Sequence, residues 1–94
     1  VISVLSNILP TETSLMCKKF FNGDVAGARR MQLDYLELIN ALFCEVNPIP
    51  AKAACAAMGW CENYVRLPLT PMEEANRQKL LALMRQAGIE LKNA

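Results

Sequence analysis

A mostly helical chain, one β-strand followed by about four helices, is what the sequence predicts, and it predicts it as one portion of a larger α/β protein. Three observations carry that reading. Apolar residues recur at alternating spacings of three and four over most of the chain, as on a buried helix face. A single β-branched segment, Val1-Ile2-Ser3-Val4-Leu5, stands at the start with no second strand to pair with. Finally, 53% of the 94 residues are hydrophobic and only 20% charged, an apolar surplus that asks for a partner surface because so short a chain hides only about 60–65% of its unfolded surface.

Val1 to Leu5 reads as a strand buried on both faces, and its unpaired edges require neighbouring strands from outside these residues. The opening lacks both an initiator Met and the basic stretch of a secretion signal, so the chain is expected to begin in mid-element. After Pro10, Thr11 is the expected N-cap of a helix over 11 to 21, with Glu12 in its first turn and Leu15, Met16, Cys17, Phe20 and Phe21 as its stripe. Asn22-Gly23-Asp24 makes a turn in which Gly23 takes the left-handed position and Asp24 caps the next helix.

From Val25 to Cys44 the stripe Ala28, Met31, Tyr35, Leu38, Leu42, widened by Leu36, Ile39 and Phe43, predicts one long helix lying between two packing surfaces. Asn47-Pro48-Ile49-Pro50 stops it, since each proline removes a backbone donor. Pro50 then opens a short helix through Met58, closed by Gly59, whose Ala-rich face allows close packing. Residues 60 to 69 read as an irregular connection. Thr70-Pro71-Met72-Glu73 combines an N-cap, a proline at the first helical position and a capping-box glutamate for the last helix, lined by Leu80, Leu81, Met84 and Ala87 and ended by Gly88. Glu90 to Ala94 reads as a loose tail.

Several function classes are excluded by charge and composition. A net charge of +1 provides no field for nucleic acid or anionic lipid, and Lys18-Lys19 and Arg29-Arg30 read as solvated helix faces. The apolar start, broken by Ser6, Asn7 and Pro10, falls short of the roughly 18 residues of a membrane span. Without histidine, Cys17, Cys44, Cys55 and Cys61 form neither a mixed zinc site nor a CxxC pair, so no metal is expected; they read as small core residues of a protein in the reducing cytoplasm.

No catalytic constellation emerges from the residues themselves. Lys52, on an Ala-rich helix, is the one side chain that burial could tune into a Schiff-base nucleophile, but it reads better as a lysine whose stem packs while its charge reaches water. Glu45, just before the Asn47-Pro48 break, is placed to bond backbone donors of the turn or to pair with Lys52 or Arg66 and so hold a loop together.

Four segments in order, Val1-Ile2-Ser3-Val4, Leu42-Phe43-Cys44-Glu45-Val46-Asn47-Pro48-Ile49-Pro50-Ala51-Lys52, Met58-Gly59 and Arg66-Leu67-Pro68-Leu69-Thr70-Pro71, resemble the C-terminal third of the dihydrodipicolinate synthase family from Val1 to about Ile89. The resemblance implies a (β/α)8 TIM barrel with a helical C-terminal extension, of which residues 1–22 are the last β/α unit and 23–94 the extension. It implies a lyase in which a lysine forms a Schiff base with pyruvate, a tyrosine relays protons and aspartate 4-semialdehyde is the acceptor, in lysine and diaminopimelate synthesis. A cytoplasmic homotetramer without cofactor is implied as well. The Schiff-base lysine and the tyrosine fall outside this chain, which is therefore expected to be inactive alone. Lys52 matches a position in the extension, away from the Schiff base. One position carries over as substrate-binding: Ile2, whose backbone lies beside pyruvate. Related aldolases of the N-acetylneuraminate lyase type share the barrel and the pyruvate chemistry. A second reading from the residues alone is a free-standing helical module that docks a partner through its apolar faces.

Overall fold

The computed structural model describes residues 1–93, and among them the elements are all helical: a 3-10 turn over Leu5–Asn7, then α1 (Pro10–Phe21), α2 (Val25–Asp34), α3 (Leu36–Ala41), α4 (Ile49–Ala57) and α5 (Glu74–Gln86). The strand expected over Val1–Leu5 is not formed. A strand is held by its neighbours, and no described residue offers an edge to it. Local bonds take over: the Ser6 amide donates to Ser3 Oγ at 3.1 Å, the Ser6 hydroxyl to the Ser3 carbonyl at 2.9 Å, and the Leu9 amide to the Leu5 carbonyl at 2.8 Å. The chain thus coils before α1, leaving Val1 and Ile2 fully exposed.

Helix α1 starts one residue earlier than expected, with Pro10 at its first position, where a missing N–H costs nothing. Thr11 consequently lies inside the first turn and caps nothing. The turn that follows is as the sequence predicts: Gly23 has φ +89°, and Asp24 Oδ1 accepts from the Gly27 amide at 3.0 Å. Lys19 adds an ion pair to Asp24 at 3.6 Å. Asp24→Ala is expected to lower stability by about 1 kcal/mol, as loss of an N-cap does, and a urea midpoint measurement checks it.

The long helix predicted over 25 to 44 divides at Tyr35 (φ −97°, ψ 2°) and ends at Ala41. The two segments answer to different partners: α2 packs on α1, and α3 on α5. Only Leu38 of α3, and Leu42 just after it, are buried, while Leu33, Leu36 and Phe43 are exposed, so the expected second packing surface is bare in this chain. The core lies elsewhere, joining Leu5, Ile8 and Leu9 to Leu38, Leu42, Ile49, Met72 and the α5 residues Leu80, Leu81 and Met84. Buried Ala53, Ala54 and Ala57 let α4 approach α5 closely, as their small size predicts.

The start of α5 departs most from expectation. Glu73 occupies the cap position, with no side-chain cap of its own, and Thr70 lies outside the helix. Buried Met72 fixes the preceding chain in the core, and Glu45 supplies the missing acceptor: its Oε2 receives the Glu73 amide at 3.1 Å and Asn76 Nδ2 at 3.0 Å. Glu45 therefore secures a helix 28 residues away in sequence rather than its own turn, Lys52 or Arg66. Glu45→Ala is expected to cost about 1–2 kcal/mol, with Glu45→Gln keeping most of that, in chemical denaturation. The tail is docked as well, since the Asn93 amide donates to the Ala57 carbonyl at 2.9 Å and Ile89 and Leu91 pack on the core. Ala94, the end of the expected tail, lies outside the described residues.

Candidate functional site

Ile2 lines an open cavity of about 260 Å³ between the coiled N-terminal residues and α1, α2 and α3, with Thr13, Met16, Gln32 and Ile39 in its wall. No carboxylate or lysine side chain lines it; the polar side chains in its wall are the Ser3 and Thr13 hydroxyls, the Gln32 amide and the Cys17 thiol. It can offer a ligand those groups and the backbone of the N-terminal residues. Lys52 is not in the wall; it lies half-buried on α4 between buried Ala51 and Ala53. Glu45 is committed to the α5 cap. The structure thus brings none of the three singled-out residues together.

Beside this cavity, sharing Val1, Met16, Cys17 and Gln32 with it, runs a wider groove of about 550 Å³ between α1 and α2. Phe20, Phe21 and Val25 line it, and all three are exposed. Neither α1 nor α2 buries a single residue, although both carry apolar stripes. The apolar surplus in the composition pointed to such a surface without locating it. Only the position of α1 beside α2, neither of which supplies a residue to the core cluster, shows where it is.

The cysteines are less buried than expected: Cys17 and Cys55 are half-buried, Cys44 and Cys61 exposed, and all four are free thiols. Cys55 packs against the edge of the core, Cys17 sits on the uncovered helix α1, and Cys44 and Cys61 lie in the open connections after α3 and after Gly59. Burial pushes the Cys55 thiol above its ordinary value of 9.0, the nearby Cys61 adds to this, and Lys52, one turn away, opposes it. The unfolded chain then loses this proton first, so stability is expected to fall as pH rises above 9.0, and Cys55→Ser should flatten that part of the profile.

Among the described residues no group of three or more His, Cys, Asp or Glu side chains is arranged to hold a metal, and no helix is long and apolar enough to cross a membrane.

A model of the dihydrodipicolinate synthetase family matches residues 1–87. The chain is 55% identical over 89 residues to the 4-hydroxy-tetrahydrodipicolinate synthase of Alkaliphilus oremlandii, covering 95% of this chain and 31% of that one. In three dimensions it is similar to the dihydrodipicolinate synthase of Aquifex aeolicus, with TM-score 0.94 and 40% identity over 99% of this chain and 32% of the other. It is also similar to the chloride-inhibited synthase of Acinetobacter baumannii crystallised with pyruvate, with TM-score 0.89 and 40% identity over 95% of this chain and 31% of that one. The chain thus spans just under a third of the length of each of these relatives.

Proposed function

Because this chain belongs to the dihydrodipicolinate synthetase family, we propose that it forms the C-terminal part of a pyruvate-dependent Schiff-base lyase condensing pyruvate with aspartate 4-semialdehyde, on the route to lysine and diaminopimelate. One observation carries this reading: 95% of the chain aligns at 55% identity with a synthase of which it covers only 31%. In this reading residues 1–22 are the last β/α unit of a (β/α)8 barrel and 23–94 its helical extension. Val1–Leu5 pairs with strands supplied by the remaining length, and the site at the C-terminal ends of the strands receives its Schiff-base lysine and proton-relay tyrosine from there. The assembled enzyme is a cytoplasmic homotetramer.

This chain's contribution to the site is the backbone at Ile2, placed beside pyruvate. The bare groove between α1 and α2 supports the same reading, because two helices that bury nothing need a further layer to cover them. The free-standing module would use the same surface, but the alignment with the synthases spans nearly the whole chain and leaves that module no separate motif.

Reductive trapping tests the proposal. This chain, joined behind the part of the Alkaliphilus relative that it does not cover, should form a borohydride-stable pyruvate adduct and turn over both substrates, whereas the 94-residue chain alone should do neither. A folded chimera that traps no pyruvate, or an adduct on Lys52, would overturn it. Within the same chimera, Ile2→Pro should raise the KM for pyruvate about ten- to a hundredfold by removing the amide and shifting the backbone. Ile2→Val should leave it nearly unchanged, since the role assigned is not that of the side chain.

A further inference from the structure

Helix α4 ends in a tight reversal that returns the following chain over its own last turn. The Trp60 amide donates to the Cys55 carbonyl at 3.0 Å and the Gly59 amide to the Ala56 carbonyl at 3.0 Å, with Gly59 at φ +87°, the bond pattern of a Schellman closure. Cys61 follows directly. It lies one residue beyond Trp60, whose amide is hydrogen-bonded to the Cys55 carbonyl, so the same turn holds both cysteines at the end of α4.

We propose that Cys55 and Cys61 form a redox modification site, a dithiol that peroxides oxidise to a reversible disulfide across the C-terminal turn of α4. Cys61 is exposed and meets the oxidant; Cys55 is half-buried, its sulfur 3.8 Å from the Asn7 carbonyl. Burial and the neighbouring Cys61 keep the Cys55 thiol protonated, which fits the resolving rather than the attacking partner.

In the first step the Cys61 thiolate attacks one peroxide oxygen and the O–O bond breaks, giving Cys61 sulfenic acid and a hydroxide that is protonated to water. Cys55 then loses its proton and attacks the Cys61 sulfur; the S–S bond forms, the S–O bond breaks, and hydroxide leaves with that proton as a second water. Two thiols have lost two electrons and two protons, and the peroxide has become two waters. The bond ties the irregular connection beyond Gly59, including the exposed Trp60, to α4.

Hydrogen peroxide treatment of the native chain, followed by peptide mass mapping without reduction, tests this. A Cys55–Cys61 link should predominate, disappear on adding thiol, and change the emission of the only tryptophan, Trp60. Cys61→Ser should abolish it, and Cys55→Ser should leave a sulfenic acid at Cys61 that dimedone captures. Links dominated by Cys17 or Cys44, over-oxidation of Cys61 without a link, or a Cys55–Cys61 bond forming no faster in the native chain than in guanidinium would each overturn the proposal.

Discussion

Leu42→Ala is expected to destabilise the chain by about 3–5 kcal/mol, enough to leave it largely unfolded at ambient temperature. Leu42 is 0% exposed and follows α3 where that helix meets α5, in one apolar cluster with Leu80, Leu81 and Met84. Truncation removes the transfer free energy of a full isobutyl group and leaves a void between rigid helices that cannot easily collapse. The reserve is small. Stabilities of about 5–15 kcal/mol belong to complete domains, and here α1 and α2 contribute no buried residue to the total. Leu33→Ala, on the bare face of α2, should by contrast shift the urea midpoint by less than about 0.5 kcal/mol equivalent. Equal effects of the two substitutions would mean that the core is misplaced.

What the sequence made legible and what it hid divide along the range of the interactions involved. The turn at Gly23 and Asp24, the end of α4 at Gly59 and the buried side of α5 at Leu80, Leu81 and Met84 rest on contacts within a few residues, and each is where periodicity and turn chemistry place it. The features missed are set by distant partners. Tyr35 breaks a regular apolar stripe because the segments on its two sides serve α1 and α5. Glu45 caps α5 from across the fold, so the local capping-box pattern at Thr70 and Glu73 misled. Val1–Leu5 has the composition of a strand but not the neighbours that would make it one. The role proposed for Ile2 was accessible only through family resemblance, since a backbone contact leaves no side-chain signature.

Substituting Phe20 and Phe21 together by serine is expected to have a small effect on stability in one context and a large one in another, and this contrast separates a part of an enzyme from a free-standing module. In the 94-residue chain Phe20 is 56% and Phe21 83% exposed, so the change removes little burial while taking two aromatic rings off the α1–α2 groove. Stability should move by less than about 1 kcal/mol, while binding of a hydrophobic dye and self-association fall. In the chimera that restores the remaining length, these rings are proposed to be covered, and each ring lost from a core costs about 3–5 kcal/mol. There the double substitution should abolish pyruvate trapping through loss of the folded barrel, with the urea midpoint falling in step with activity. If the chimera instead keeps both stability and trapping, the groove faces solvent in the assembled enzyme, and the apolar surplus of this chain serves a separate partner.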